Sequence, residues 1–313
     1  MNFVVAAHPD LEGSRQRSTP VNAAWLSGPQ RAVVTRFAGL TCPNAVEAVA
    51  RSLLNDADWI EDLLAALIDA LHRDPWFEPP FKVSRDSLRT GIVLLDCDAV
   101  SIAATVTSAA VLNRLTPPAS VVMPGRITLI RYIRGGNAWM RRWRADIAPA
   151  DFRAADAAPC REHEPRILTD GMLIRQDGRS DGHLIVQAEH DIVAVTATIK
   201  PGASPLMREY AVADGRFMRA ASADDTASRI EMLLTFLRVS GRADAAESFE
   251  AASRHPAFHV RWAAMREWLM LDARTAHPHL VRMRNSDPNA EIRGAAAATL
   301  HILDRRLAQP CPA

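Results

Sequence analysis

In DIVAVTATI, residues 191–199, the run after Asp191 holds only β-branched residues and alanine. Val193, Val195, Ala197 and Ile199 alternate there with Ile192, Ala194, Thr196 and Thr198, so a period of two predicts a strand buried chiefly on one face. The same texture recurs on both sides. Upstream stand GIVLLDCD (91–98), VSIAATVT (100–107), ITLIRYI (127–133) and, after GGN, AWMRRW (138–143). Nearer and beyond are RILTDGMLIRQDG (166–178), HLIVQA (183–188), REYAV (208–212) and GRFMRA (215–220). Roughly ten short strands without intervening helical stripes imply an antiparallel sandwich or jelly-roll barrel. Gly135-Gly136-Asn137 has the composition of a hairpin turn.

The chain has 313 residues, 48% hydrophobic and 23% charged, which allows one large core or several ordinary ones. Net charge is +1, so no global field steers it toward nucleic acid or membrane. Only Lys82 and Lys200 among the 37 basic residues are lysines; with the alanine bias this reads as high-GC coding, not as phosphate binding. Cys42, Cys97, Cys160 and Cys311 form no C-x-x-C pair or zinc spacing. The opening MNFVVAAHPD lacks a signal peptide's basic and apolar regions, and no window reaches the roughly 20 apolar residues of a membrane span. A cytoplasmic protein with reduced thiols is expected.

Four regions follow. Residues 1–40, with Pro20, Pro29 and GSRQRSTP, read as a poorly defined segment, part loop or arm. Residues 41–74 read as a helical hairpin, with Val46, Val49, Leu53 and Leu54 on one stripe and Ile60, Leu63, Leu64, Leu67, Ile68 and Leu71 on the next. The β-rich region takes 75–221, and 222–308 returns to helical patterning.

Inside that last region HPAFHVRWAAMREWLMLD (255–272) aligns with DPNAEIRGAAAATLHILD (287–304) at an offset of 32. The register pairs Pro256 with Pro288, Val260 with Ile292, Arg261 with Arg293, Ala264 with Ala296, and Trp268 with Leu300. A degenerate first copy places Asp224, Arg229, Met232, Phe236 and Val239 one step earlier. This pattern resembles the HEAT repeat. The resemblance implies stacked helical pairs that cap the core, build a homodimer or dock a protein partner. Arg261 with Asp272, and Arg293 with Asp304, are expected to pair along one helix face.

The strand rhythm over 75–221, with the turn-type stretch GMLIRQDG from Gly171 to Gly178, resembles the cupin, a double-stranded β-helix barrel. The predicted fold class is therefore α+β: a cupin-like barrel between an N-terminal helical hairpin and a C-terminal HEAT-like stack. A metal cupin carries two histidines one residue apart, then a glutamate and a later histidine. CREHEP supplies His163, but Pro165 stands where the second histidine belongs. A divalent metal would need His163, His183 and His190 to converge. Metal-free cupins imply proton transfer by a histidine with a tyrosine; His163 or His183 would be the base and Tyr132 or Tyr210 the acid.

RITLIRYIRGGNAWMRRWR (126–144) holds six arginines and no acid, interleaved with Trp139 and Trp143. Alternation aligns Ile127, Leu129, Arg131 and Ile133, and aligns Trp139 with Arg141 and Trp143. An arginine directed inward needs an anion, either Asp96 or Asp98 or one on a ligand. The expected function is a cupin-like enzyme acting on an anionic small molecule or acidic peptide, with Arg131, Arg141, Trp139 and Trp143 binding and His163, His183 and Tyr132 reacting. The alternative is a non-catalytic adaptor or ligand sensor. Nucleic acid and membrane are not expected partners.

Overall fold

The computed structural model describes residues 9–56, 58–149, 152–223 and 225–308. The N-terminal Met1–His8, Asp224 of the first repeat copy and Cys311 lie outside them. Two compact units divide the chain. The first holds Met1–Val121, Arg126–Arg144 and Arg161–Ala203; the second holds Val122–Gly125, Ala145–Cys160 and Ser204–Ala313. The boundary differs from the expected break at 221/222, because the last two strands cluster with the C-terminal helices.

In the first unit α1 (Pro9–Ser27) and α2 (Pro29–Thr35) occupy the segment expected to be poorly defined. Their order comes from tertiary anchors that no local stripe announces. The Trp25 indole donates to Leu63 O at 2.6 Å, and Arg17 makes two bonds to Asp74. Next come α3 (Pro43–Asn55), with Pro43 in the first turn where no donor is missed, and α4 (Asp58–Arg73). Val46, Ala50, Leu53 and Leu54 of α3, and Leu63, Leu67 and Ala70 of α4, are buried.

In chain order the strands are β1 (Lys82–Arg85), β2 (Arg89–Asp96), β3 (Val100–Thr107), β4 (Ser120–Met123), β5 (Ile127–Arg134) and β6 (Ala138–Arg144). They continue as β7 (Arg161–Leu168), β8 (Leu173–Asp177), β9 (Asp181–Gln187) and β10 (Ile192–Ile199). The one-turn helix α5 (Ala109–Leu112) follows β3. One sheet runs β1-β2-β3-β10-β5-β8 and a second runs β7-β6-β9, every resolved pairing being antiparallel. Consecutive strands change sheets at β5–β6, β7–β8, β8–β9 and β9–β10. The order β3-β10-β5-β8 opposite β9-β6-β7 is that of a jelly roll.

This winding corrects the expected hairpin. β5 and β6 are not partners: Gly135-Gly136-Asn137 carries the chain from one sheet to the other. Asn137 and Gly136 have φ of 48° and 62°, and a Cβ on Gly136 would come 2.3 Å from His190 O, so glycine is required there. The stretch Gly171–Gly178 is likewise not one turn, since β8 lies within it.

The central strands of the six-stranded sheet bury apolar side chains on both faces. Ile127, Leu129, Val195, Ala197 and Ile199 join Val46, Leu53, Leu63 and Leu67 in a core beneath the helices. Ile130, Tyr132, Ile192 and Ala194 join Ala138, Met140 and Leu168 inside the barrel. β10 therefore buries both of its alternating sets, not chiefly one.

The second unit contains β11 (Leu206–Ala211) and β12 (Phe217–Ser222), in a sheet ordered β12-β11-β4. After them come α6 (Asp225–Val239), α7 (Ala246–Ala252), α8 (Phe258–Leu271), α9 (Ala273–Ser286) and α10 (Ala290–Ala308). Ala264, Trp268, Leu280, Ile292, Ala296 and Leu300 form its core. The expected Arg261–Asp272 and Arg293–Asp304 pairs do not form. Asp272 instead accepts the amides of Arg274 and Thr275 at the start of α9, and Asp304 meets His277 at 2.9 Å. Arg261 makes a bidentate pair with Asp287 at 2.7 and 2.8 Å, while its NH1 donates to His255 O and Pro256 O. Arg293 NH1 repeats that second contact 32 residues on, to Asp287 O and Pro288 O.

Arg261 and Asp287 are both buried, so removing one partner strands the other's charge. Arg261→Ala should cost about 3–5 kcal/mol in urea unfolding. Leu300→Ala should cost about 2–5 kcal/mol as a core truncation. Losses under about 1 kcal/mol at either position would contradict these placements.

Candidate functional site

The barrel interior is apolar at one end, where Ala138, Leu168, Ile192 and Ala194 pack. Beside that core, polar and apolar side chains together line a small cavity of about 90 Å³, whose wall also holds Asp181, paired with Arg144. Tyr132 of β5, Met140, Arg142 and Trp143 of β6, His163 of β7, Gln176 of β8 and His183 of β9 are among its walls.

Cross-strand register builds the polar part. Arg142 stands opposite His163 on one side and opposite His183 on the other. Directly opposed residues in adjacent strands share a face, so the three form one row across the β7-β6-β9 sheet. Pro165 sets that row. It cannot donate to the ladder, and the β6–β7 register shifts between Met140 and Arg142, opposite the Glu164–Pro165 step. The bulge restores His163 as the partner of Arg142. The residue that breaks the cupin histidine pattern thus aligns the histidine that remains.

The electrostatics of the row are one-sided. His183 has its pKa lowered to about 4, first by burial and then by the charges of Arg89 and Arg142. Its imidazole is neutral at pH 7. Burial also pushes the Tyr132 phenol up to about 12, so that it keeps its proton. The Arg142 side chain makes no hydrogen bond or ion pair with another described residue, whereas the neighbouring Arg144 is held by Asp181 at 2.8 Å.

Of the residues expected to react, His163, His183 and Tyr132 line this one cavity, and Trp143 is beside them. The expected binding arginines do not. Arg141 points to the opposite face of β6, where it makes a bidentate pair with Glu162 at 2.7 and 2.9 Å and lies 4.8 Å over the Trp143 ring. Trp139, 43% exposed, lies on that face too. Arg131 faces the helical side of the sheet and donates to Gly171 O, not to Asp96 or Asp98. Asp96 is taken by Lys200 at 2.7 Å.

His190 is exposed in the β9–β10 turn and does not approach His163 and His183. The three-histidine metal set is therefore not assembled, and no group of three or more metal-ligating side chains occurs among the described residues. Tyr210 belongs to the second unit, where its hydroxyl meets Arg208 at 2.8 Å. His277-Pro278-His279 lies within α9, with the His279 ring 4.5 Å from that of Trp268. Arg142 is the functional candidate that sequence reasoning passed over. Alternation offered the signal, because it assigns Arg142 to the face of Ala138 and Met140.

No protein-family model matches the chain, and no curated protein matches it. Among solved structures it is similar to ectoine synthase from P. lautus, at 14% identity and TM-score 0.25 over 38% of this chain and 69% of that one. It is similar to KdgF from Halomonas sp. at 8% identity and TM-score 0.25, over 38% and 86%. It is also similar to Lactobacillus farciminis oxalate decarboxylase at 8% identity and TM-score 0.27, over 42% of this chain and 33% of that one. Likenesses at such TM-scores carry no argument about fold or activity; the jelly roll rests on strand order. No helix among the described residues is long and apolar enough to cross a membrane.

The state of His183 gives a stability test. Below about pH 6.5 the unfolded chain's histidine takes up a proton that the folded one refuses until about pH 4. The unfolded state then binds more protons, and stability falls across that window. The urea midpoint should decline from pH 6.5 to 4 more steeply in the wild type than in His183→Gln. Equal slopes would show that the folded protein does not hold this imidazole neutral.

Proposed function

We propose that the barrel is a cupin-like enzyme that binds a small anion at Arg142 and moves a proton on it with His183 and Tyr132. One observation carries the reading: an arginine without a protein anion stands between two histidines, in a cavity that a protonated tyrosine also lines. Neutral His183 can accept a proton, Tyr132 can donate one, and Arg142 offers charge-assisted donors to a carboxylate or phosphoryl oxygen. His163, at the far end of the row, is a second donor or acceptor for the same ligand.

The C-terminal helices are read as a HEAT-like docking or dimerising cap. Supporting this are the equivalent Arg261 and Arg293 backbone contacts at a shift of 32 residues, and the full burial of Ala264 and Ala296 at matching positions.

The test is exchange of carbon-bound protons for deuterium in small carboxylates, followed by proton NMR alongside binding of the same compounds. Arg142→Ala should weaken binding by roughly 10- to 100-fold, the worth of a hydrogen bond to a charged group. His183→Asn should slow exchange by roughly 10²- to 10⁴-fold while binding persists. Binding without exchange in the wild type would favour the ligand sensor, and the absence of both would sink the site.

A further inference from the structure

A second group of cations lies in the helical unit, apart from anything the barrel reading uses. A cleft of about 340 Å³ formed by α7, α8, α9 and their connections is lined by Arg254, Pro256, Arg282, Met283 and Pro288 among others. Its charges converge on one oxygen. Glu250 Oε1 accepts a hydrogen bond from Arg254 and lies 3.8 Å from Arg282 NH1 and 3.7 Å from His279 Nδ1. Arg261, also on the wall, is already neutralised by its bidentate pair with Asp287. Two guanidiniums therefore share a single carboxylate. His279 Nδ1 is buried without a hydrogen bond, and burial lowers its pKa, so the ring adds a polar atom and no full charge.

We propose that this cleft receives the side-chain carboxylate of an acidic polypeptide segment. Charge counting selects a carboxylate: one further negative charge balances Arg254 and Arg282 beside Glu250, whereas a dianionic phosphoryl group would leave an excess facing Glu250 at close range. Shape points the same way. Pro256, Met283 and Pro288 give the cleft apolar walls suited to a short methylene stem. Arg254 and Arg282 keep 62% and 54% of their side chains exposed, so the cleft is open. An occupant must gain contacts beyond it, as a polypeptide does and a free acid does not. Glu250 holds the position that the incoming carboxylate would share or take.

Fluorescein-labelled hexaglutamate and hexaglutamine, titrated by anisotropy against the full chain, test the proposal, with glutarate and inorganic phosphate as competitors. Hexaglutamate should bind and hexaglutamine should not. Arg254→Gln with Arg282→Gln should weaken binding by roughly tenfold or more, each change removing a charge-assisted contact. Glu250→Gln should tighten it, and Arg142→Ala in the barrel should leave it unchanged. If the double variant does not fold, Arg282→Gln alone is read the same way. Binding that survives loss of the arginines, weakens with Glu250→Gln or vanishes with Arg142→Ala would overturn the site. Phosphate competing better than glutarate would overturn the carboxylate, and glutarate matching hexaglutamate would overturn the polypeptide.

Discussion

β10 has to satisfy two cores with one backbone. It sits between β3 and β5, directs Val195, Ala197 and Ile199 at α3 and α4, and directs Ile192 and Ala194 into the barrel. A one-residue slip would exchange the two sets, moving small alanines into places shaped for valine and isoleucine. The register of β10 against both neighbours is fixed by packing on either side. With it are fixed β5, and hence Tyr132, and the turns that carry the chain to the facing sheet. The glycines at 135 and 136 belong to the same constraint, because a Cβ at either position would come within 3 Å of the backbone of Leu168 or His190.

Helical cover on the outer face of that sheet leaves the barrel interior to hold both an apolar end and a polar one. The facing sheet supplies the polar groups. Its centre is β6, whose Arg142 has a histidine on either side and no carboxylate. The other arginines of this strand are answered locally, Arg141 by Glu162 and Arg144 by Asp181. Under-compensation at one position in three is a feature of placement, not of composition. Acids pair with the outward and terminal arginines, and none among the described residues pairs with the inward one.

What could be read from the chain divides along the same line. Alternation in residues 91–199 and the 32-residue echo near the C-terminus are local signals, and both the antiparallel strands and the helices around Leu300 were legible from them. Sheet membership was not. GGN between two β-like runs has the same composition whether it closes a hairpin or crosses a barrel, and the difference lies in what packs on Gly135 and Gly136. The site was legible in part for a similar reason. His163, His183 and Tyr132 announce themselves by type, but whether an arginine faces a ligand depends on which acid lies across the strand. Glu162 answers Arg141 only because the Pro165 bulge shifts β7 by one residue. Order in residues 9–35 was hidden for another reason, since Trp25 and Arg17 find their partners 38 and 57 residues away.

The two cavities also illustrate how burial decides what a histidine does beside arginine. In the barrel, desolvation and two nearby guanidiniums act together on His183, and no acid opposes them, so its charged form is suppressed most strongly. At His279 desolvation also lowers the pKa, and there Glu250 works against it while Arg282 and Arg254 add to it. An anion brought to Arg142 would do for His183 what Glu250 already does for His279. It would offset the neighbouring cations and restore affinity for a proton at the moment a ligand is present to give one. On the proposed reading, the absence of an acid paired with Arg142 is what would couple binding to basicity, since the one carboxylate on the cavity wall, Asp181, is already held by Arg144.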